Sequence, residues 1–358
     1  MKTAIITVAL AMAFSPISAD SLPEKFARRD RNKDKKLSRE EVPESFSRFK
    51  FAQADRNKDG FLDATELEQV AKKLADKEKG TASVPIGPVI PATGTIRVIR
   101  DIPYRKLPGD TKDLNKLDLY LPRAKGFAML IWIHGGGLHG GDKSNINEVA
   151  RRFVAEGYGV ASLNYRLYPE AKYPAQIEDV ALAFSWIHAN ISGKGGDPEK
   201  LFVAGGSAGG HLSALLATDP SRLNKHGLGT VNIRDAIAIS ALMDVSRVGA
   251  ARRNSIWGND PKIYQEASPL HHAGAKSPAM LLLHAEHDTD DRRAQNQAMH
   301  DALKKAGHPD VKIHELKDRT HNNIRPNLAG ADDPGAGLIL AFLKRQSAAK
   351  KTLPEKQE

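Results

Sequence analysis

The chain has 358 residues, of which 41% are apolar, so it is long enough for two domains and can bury a substantial core. The absence of cysteine excludes disulfides, thiolate metal sites, a cysteine nucleophile and a lipid anchor on an N-terminal cysteine. The formal charge of +10 comes from Lys and Arg residues that are scattered among acids, and without a basic stripe nucleic acid is not expected as a partner.

Residues 1–19 carry a lysine at position 2, an apolar run too short to span a bilayer, and small residues before Asp20. This pattern is typical of a signal peptide cleaved near Ala19. A buried N-terminal helix would need a polar face, which the run from Ala4 to Phe14 does not offer. No later segment reaches the length of a membrane span. We therefore expect export to the periplasm or the extracellular space.

Residues 20–79 contain a tandem repeat, DRNKDKKLSREE at Asp30–Glu41 and DRNKDGFLDATE at Asp55–Glu66. A twelve-residue loop with oxygen ligands at positions 1, 3, 5, 7, 9 and 12 is the Ca²⁺-binding loop of an EF-hand, and its seventh position contributes a backbone carbonyl. The ligands predicted in this way are Asp30, Asn32, Asp34, Lys36, Ser38 and Glu41 in the first loop, and Asp55, Asn57, Asp59, Phe61, Asp63 and Glu66 in the second. The segment is predicted to be a small all-α domain of paired EF-hands.

The two loops differ at the sixth position, where the chain turns sharply. Gly60 occupies it in the second loop, whereas Lys35 occupies it in the first. A left-handed backbone costs a residue with a side chain ~1–2 kcal/mol, so the first site should be the weaker one. Leu37 and Leu62, both at the eighth position, suit the short strand pairing that joins two EF-hands. A solvated run of acids and lysines would not explain the repeated spacing, and we expect the calcium to be structural.

Residues 80–95 are rich in Gly, Pro and Thr and predict a flexible linker. From Ile96 onward, apolar runs alternate with helical patterns such as Asn147–Glu156 and Ala175–Ala189. This alternation predicts a mostly parallel, doubly wound sheet over residues 96–346, followed by a polar tail at 347–358. The predicted strands are LDLYL (117–121), AMLIWIH (128–134), GVASLNY (159–165), LFVAGGS (201–207), AIAIS (236–240), AMLLLHA (279–285) and VKIHEL (311–316).

Ser207 lies in a GxSxG sequence, Gly205–Gly209, between a predicted strand and a predicted helix. Such a turn holds the serine in a strained backbone conformation at the sheet edge, and flanking glycines avoid collisions there. Alone, the sequence could equally be an ordinary glycine-rich turn. The sequence HGGG at His134–Gly137 adds support, because a glycine loop after a strand can aim backbone N–H groups at the serine. The N–H groups of Gly135, Gly136 and Ala208 are therefore the predicted oxyanion hole.

A serine nucleophile needs a base, and an acid must orient that base. In this fold the three residues follow each other along the chain as serine, acid, histidine. Asp288 follows a predicted strand and is the predicted acid, whereas Asp290 and Asp291 suit the N-cap of the next helix. His321, in the loop after the last predicted strand, is the predicted base. The histidine pair His271 and His272 is expected to bind a shared metal poorly, so no catalytic metal is predicted.

From about Ile96 to Arg345 the chain resembles the hormone-sensitive-lipase-like α/β-hydrolases, especially the bacterial feruloyl and acetyl esterases. The matching segments are HGGG at His134, GGDKS at Gly140, NYRL at Asn164, YPAQIEDV at Tyr173, GGSAGGHL at Gly205, EASPL at Glu266 and LLLHAEHD at Leu281. The resemblance implies the α/β-hydrolase fold and catalytic roles for Ser207, Asp288 and His321. Leu138 stands where the family often has an aromatic residue, so the resemblance does not define the shape of the acyl pocket.

These observations predict an exported serine carboxylesterase that cleaves short-chain or carbohydrate-linked esters, of acetyl or feruloyl type, through an acyl-enzyme. Its partners would be a small-molecule or polysaccharide ester and calcium, and catalysis would need no cofactor. Two alternatives share these residues. One is a serine peptidase of the same fold, although such enzymes lack the HGGG loop and usually carry a propeller domain. The other is a calcium-binding protein whose hydrolase domain is inactive.

Overall fold

The computed structural model of the protein describes residues 30, 32–38, 41–42, 51, 54–70, 96–105 and 114–348. The chain divides into two compact units, Met1–Ala82 and Ser83–Glu358, which we call the loop unit and the sheet unit. The predicted signal peptide, the predicted linker and nearly all of the predicted polar tail lie outside the described residues. None of the helices in the described residues has both the length and the apolar character needed to cross a bilayer.

The loop unit contains two short strands, β1 (Leu37–Ser38) and β2 (Phe61–Leu62), which pair in antiparallel fashion with Leu37 opposite Leu62. Each strand belongs to one of the two acidic loops, so the pairing places the loops side by side. Both leucines are fully buried because they form the centre of a small core. The other buried members of this core are Val42, Phe51 and Leu67.

The sheet unit is built on eight strands: β3 (Arg97–Pro103), β4 (Lys116–Leu121), β5 (Phe127–Ile133), β6 (Gly159–Leu163), β7 (Gly196–Gly206), β8 (Asp235–Ile239), β9 (Ala279–His287) and β10 (Val311–Thr320). Their order across the sheet is β10-β9-β8-β7-β5-β6-β4-β3. All neighbours from β6 through β5 to β10 are parallel, whereas β3 and β4 join in antiparallel fashion at one edge. The predicted mostly parallel sheet is therefore confirmed.

Helices cover both faces of this sheet. The helices of the sheet unit are α1 (Asn147–Ala155), α2 (Ala175–Asn190), α3 (Ala208–Thr218), α4 (Ser221–Asn224), α5 (Ala250–Trp257), α6 (Pro261–Ala267), α7 (Asp290–Lys305) and α8 (Pro334–Ala348). One apolar cluster packs α2, α3 and α7 against one face, and a second packs α1 and α8 against the other. Residues on the central strands are buried on both pleat faces, as expected for a doubly wound sheet.

Two features of the sheet unit were not predicted from the sequence. Strand β3 is largely exposed and carries charges and a terminal proline, which suit an edge strand but hide its periodicity. Helices α5 and α6 form an insertion between β8 and β9, where the sequence shows no strong apolar period. The carboxyl ends of β5, β7, β8, β9 and β10 meet at one edge of the sheet, which is where sites in such folds collect.

Candidate active site and acidic loops

Ser207 lies at the turn between β7 and α3, near the middle of the sheet. Its backbone has φ 57° and ψ −118°, a strained conformation for a residue with a side chain. The turn is tight because α3 approaches β5 closely: a Cβ added at Gly209 would lie 1.9 Å from the carbonyl oxygen of Ile133. The strand, the glycines and the helix thus force the serine into the position that the GxSxG pattern predicts.

His321 bridges Ser207 and Asp288. Its Nε2 lies 2.9 Å from Ser207 Oγ, and its Nδ1 lies 2.7 Å from Asp288 Oδ1. An ionised carboxylate can only accept hydrogen bonds, so Nδ1 carries the proton and Nε2 is free to accept the serine proton. The structure therefore brings together the three residues that the sequence singled out, although they lie far apart along the chain.

Asp288 is buried, and the protein supplies several donors to its carboxylate. Ser240 Oγ donates to Oδ2 at 2.5 Å, and the backbone N–H of Ala285 donates to the same oxygen at 3.1 Å. Burial acts to raise the pKa of Asp288, but the hydrogen bonds from His321, Ser240 and Ala285 and the charge of His321 outweigh it and hold the pKa below its usual range. Sequence reasoning missed Ser240, whose only signal is its position directly after β8.

The acidic residues after Asp288 have other partners. Thr289 is the N-cap of α7, and its Oγ1 accepts from the backbone N–H of Arg292 at 3.3 Å. The prediction that Asp290 or Asp291 caps this helix is therefore wrong by one or two residues. Both acids lie in the first turn instead, where the positive end of the helix dipole stabilises their negative charges. Asp290 pairs with Arg293, and Asp291 pairs with Arg247.

The HGGG segment follows β5 and lies against the Ser207 turn. A Cβ added at Gly135 would lie 2.7 Å from the carbonyl oxygen of Gly206 and 3.4 Å from Ser207 Cβ. Gly136 has φ +115°, and a Cβ there would lie 2.0 Å from the carbonyl oxygen of Gly140. The backbone can take this path only without side chains. Among the described residues, the N–H groups of Gly135 and Gly136 have no acceptor, and Ala208 begins α3 beside them.

His134 anchors this loop rather than taking part in proton transfer. Its ring stacks on Tyr165 with centroids 4.4 Å apart, and the Tyr165 hydroxyl donates to the His134 carbonyl oxygen at 2.9 Å. Burial lowers the pKa of His134 to about 4, so the ring is neutral. His211, one turn into α3, is likewise buried, its pKa is lowered to about 4 by burial, and its Nδ1 lies 3.0 Å from the Leu242 carbonyl oxygen. This ring is therefore neutral and contacts the backbone after β8, and it takes no part in the chain of hydrogen bonds from Ser207 to Asp288.

In the second acidic loop, the side chains turn toward the backbone of the loop itself. Glu66 Oε1 accepts from the N–H of Arg56 at 2.6 Å, and Asp55 Oδ2 accepts from the N–H of Gly60 at 3.1 Å. Asp59 Oδ1 and Asn57 Oδ1 accept from N–H groups two residues further on. Asp63 Oδ1 accepts from the N–H of Glu66 at 2.9 Å.

The first acidic loop repeats this arrangement. Asp30 accepts from the N–H groups of Asp34 and Lys35, and Glu41 Oε2 accepts from both the N–H and the hydroxyl of Ser38 at 2.9 Å. The sixth residues of both loops are left-handed, Lys35 with φ 64° and Gly60 with φ 84°. The strained lysine is what the sequence predicts for the weaker loop.

Within the described part of the chain, no three carboxylate or imidazole side chains converge closely enough to hold a metal ion as they stand. The donor set of the second loop nevertheless suits Ca²⁺, since all of its side-chain ligands are oxygens. One of them also lacks a partner: Asp55 Oδ1, at the first loop position, is buried and has no donor among the described residues. The residues therefore fit a hard cation, and the paired EF-hands remain a prediction.

The profile of the BD-FAE family matches residues 117–303, more than half of the chain and nearly all of the region that holds the site. The chain belongs to the BD-FAE family. The match ends before His321, which the structure itself places beside Ser207. In the sequence of this BD-FAE protein, the acidic loops therefore precede the matched range and His321 follows it.

Curated relatives of this BD-FAE protein include two proteins of Mycobacterium tuberculosis. Esterase LipQ is 29% identical over 62% of this chain and 56% of its own length. The probable carboxylic ester hydrolase LipM is 29% identical over 68% of this chain and 60% of its own length. The chain thus spans less than two thirds of the length of these two relatives.

Solved structures show the same fold. A truncated carbohydrate esterase from gut microbiota matches with a TM-score of 0.61 at 21% identity, over 72% of this chain and 99% of its own. A hyperthermophilic esterase from the archaeon Pyrobaculum calidifontis matches with a TM-score of 0.60 at 24% identity, over 77% of this chain and 94% of its own. At these identities the likeness establishes the fold of the sheet unit, which is the predicted α/β-hydrolase fold.

Proposed function

We propose that this protein is a serine carboxylesterase. The observation that carries the proposal is the continuous hydrogen-bonded chain from Ser207 Oγ through His321 to Asp288, at 2.9 and 2.7 Å, beside two backbone N–H groups of the HGGG loop. These are the nucleophile, base, acid and oxyanion donors that acyl transfer requires. The names of the curated relatives LipQ and LipM, an esterase and a probable carboxylic ester hydrolase, support ester hydrolysis as the reaction.

In this mechanism Ser207 Oγ attacks the ester carbonyl carbon while His321 Nε2 takes the hydroxyl proton. Asp288 stabilises the imidazolium that forms and holds the ring in the required tautomer. The carbonyl oxygen becomes an oxyanion, which the N–H groups of Gly135, Gly136 and Ala208 bind. His321 then gives its proton to the departing alcohol, which leaves an acyl group on Ser207. Water, deprotonated by His321, releases the acid and restores the serine.

The proposed substrates are short-chain or carbohydrate-linked esters of acetyl or feruloyl type. The resemblance to feruloyl and acetyl esterases supports this class, as does the carbohydrate esterase from gut microbiota that shares the fold. The proposed location is outside the cytoplasm, because residues 1–19 have the pattern of a signal peptide. A polysaccharide ester would be accessible there.

Calcium is proposed as a structural ion of the loop unit. Asp55, Asn57, Asp59, Asp63 and Glu66 would hold it together with the Phe61 carbonyl, and the first loop would hold a second ion more weakly. When bound, the ion neutralises carboxylates that otherwise repel one another. The hydrolytic steps use only residues of the sheet unit.

The test uses a fluorophosphonate probe and a panel of short-chain 4-nitrophenyl esters, acetylated xylan and methyl ferulate. The parent should be labelled at Ser207 and should hydrolyse at least one of these esters, whereas Ser207→Ala should lose both properties while its circular dichroism stays unchanged. Labelling without hydrolysis of any ester, together with cleavage of a peptide substrate, would favour a serine peptidase. No labelling at all would favour a calcium-binding protein with an inactive hydrolase domain.

A further inference from the structure

Arg325 lies in the segment that carries the base of the triad. This segment, directly after β10, begins as a helical turn, because the N–H of Ile324 donates to the Thr320 carbonyl oxygen at 3.1 Å and Arg325 itself has φ −78° and ψ −51°. Residues four apart in such a turn share one face. His321 and Arg325 therefore project in the same direction, toward the strand end that carries Ser207.

The Arg325 side chain lies directly against the Ser207 turn. A Cβ built on Gly135 would lie 3.1 Å from Arg325 Nη1 and 3.4 Å from Ser207 Cβ, so the guanidinium and the nucleophile border the same small space. A Cβ built on Gly206 would lie 3.6 Å from Arg325 Cδ, which places the stem of the side chain against the residue before the nucleophile. Because both positions are glycine, the guanidinium reaches the loop that supplies the proposed oxyanion donors.

The charge of Arg325 is unpaired within the described ranges. Its side chain makes no hydrogen bond or ion pair there, whereas the nearby Arg319 pairs with Asp333 at 2.8 Å. Burial lowers the pKa of Arg325, and among the described residues the Tyr165 phenol alone acts in the other direction. Burial also raises the pKa of Tyr165, so this phenol is neutral. No carboxylate of the described part of the chain therefore balances the guanidinium.

The guanidinium of Arg325 is open to a ligand. Arg325 is half-buried, and none of its nitrogens belongs to the buried atoms that lack a partner in the described part of the chain, so its N–H groups keep accessible surface. Ser207 is half-buried as well. A charge that is partly removed from water and unpaired is retained at a cost in stability unless an anion joins it. A molecule that binds at Ser207 and carries an anion would meet this cation.

We propose that Arg325 binds a carboxylate carried by the ester substrate. This inference rests on the proposed esterase function and narrows its substrate to esters with a free carboxylate in the acyl part or the alcohol part. A guanidinium suits a carboxylate because its planar N–H pairs match the two oxygens. Because Arg325 contacts the glycine before Ser207, the carboxylate should lie only a few atoms from the ester carbonyl. Arg325 sets specificity, and the bond-breaking steps at Ser207 stay as described.

Two pairs of esters test the proposal, each pair differing only in a carboxylate that is replaced by a neutral amide of similar shape. Monomethyl glutarate and methyl 4-carbamoylbutanoate place the difference in the acyl part, and acetoxyacetate and acetoxyacetamide place it in the alcohol part. In one pair the parent should favour the carboxylate in kcat/KM by about tenfold or more at low salt, the order expected for charge-assisted hydrogen bonds. The pair that shows the preference identifies the part that carries the anion.

Variants separate the role of Arg325 from the general positive charge of the protein and from a loss of structure. Arg325→Gln should bring the preference close to one, and Arg325→Lys should keep part of it because the charge remains. A structural disturbance would lower kcat/KM for both members of a pair and leave their ratio unchanged. Lys305→Gln is the matched control, since Lys305 is exposed at the last of the 16 residues of α7. Its ratio should equal that of the parent.

The outcomes also separate this inference from the proposed function. The inference is overturned if the parent treats both members of each pair alike while hydrolysing them, if Arg325→Gln or Arg325→Lys keeps the full preference, or if Lys305→Gln lowers it as much. In those cases the esterase stays in place. If no ester is hydrolysed, the proposed function fails, and calorimetric titration of the parent with monomethyl glutarate and with methyl 4-carbamoylbutanoate decides the inference. Tighter binding of the carboxylate supports it, and equal or absent binding overturns it.

Discussion

The loop unit and the sheet unit treat their carboxylates in opposite ways. In the sheet unit, the Asp288 carboxylate receives hydrogen bonds from His321, Ser240 and the Ala285 N–H, all supplied by the protein. In the second acidic loop, four carboxylates share twelve residues, and they accept mainly from the backbone of that loop, while Asp55 Oδ1 has no donor among the described residues. The triad acid therefore has a protein donor for each of its oxygens, whereas the loop keeps one buried carboxylate oxygen without a donor among the described residues, which fits the proposed cation.

This difference indicates that the two units should respond to different treatments. Changes to protein donors and acceptors should affect the sheet unit, and changes to calcium should affect the loop unit. An effect of calcium removal on the sheet unit, or of a triad substitution on the loop unit, would contradict this separation, whereas effects confined to one unit would support it.

The largest effect is expected at the triad acid. Asp288→Asn removes the charge that holds the His321 tautomer, and kcat should fall by about 10⁴-fold. Asp290→Asn is the matched control, because Asp290 is exposed and its ion pair is with Arg293 on the same helix, and its effect should be less than threefold. Stopped-flow and steady-state assays with 4-nitrophenyl acetate measure both. The reverse ranking would transfer the acid role to Asp290.

A smaller loss is expected when the HGGG loop is forced to move. Gly136→Ala places a methyl group 2.0 Å from the Gly140 carbonyl oxygen and imposes a left-handed conformation on alanine, so the donors should shift and kcat should fall by about 10²–10³-fold. Gly140→Ala is the control, since a Cβ there meets nothing within 4 Å. Equal losses in the two variants would mean that the loop matters for stability and not for the oxyanion.

The loop unit is tested through Glu66, whose two oxygens close the better loop. Glu66→Gln should weaken calcium binding, because an amide coordinates the ion less strongly than a bidentate carboxylate. With less ion bound, the remaining carboxylates repel one another, so the melting temperature of residues 20–79 should fall. The rate of ester hydrolysis should stay near that of the parent, since every triad contact lies within the sheet unit. Calorimetry and a nitrophenyl acetate assay, with and without chelator, measure both. Loss of hydrolysis on chelation would show that the two units are coupled.

The smallest effect concerns a buried group that the sheet unit keeps neutral. The pKa of His211 is about 4 in the folded protein and ordinarily 6.5, because burial disfavours its charge. As the pH falls from 6.5 toward 4, the unfolded chain binds this proton and the folded chain does not. The free energy of unfolding should therefore fall by up to about 1.4 kcal/mol per pH unit from this residue.

Urea unfolding of the parent and of His211→Gln at several pH values isolates that contribution. The difference between the two should shrink as the pH falls, because glutamine does not titrate. Other groups cancel in the difference, including Asp235, whose pKa burial raises to about 7 and whose effect has the opposite sign. His271→Gln is the control, since His271 is exposed. A pH-independent difference would show that His211 contributes packing only.

The triad could be predicted because each of its members follows a strand whose apolar run is plain in the sequence. Ser240 could not be predicted, since a serine after a strand is common and its role depends on a hydrogen bond to Asp288, 48 positions away in the sequence. Thr289 and Asp290 are both good N-caps, and only the geometry of the helix start distinguishes them. Local patterns thus predicted the elements, and tertiary contacts decided the supporting residues.

The spacing of the triad along the chain has a consequence for biosynthesis. The nucleophile is translated 114 residues before the base that activates it, and the strand that precedes His321 forms the edge of the sheet. A ribosome-bound chain that has folded through β9 holds Ser207 and Asp288 but has no group to accept the serine proton. The proposed hydrolysis can begin only after β10 has docked beside β9, so this activity should appear late and should report that the last strand has been added to the sheet.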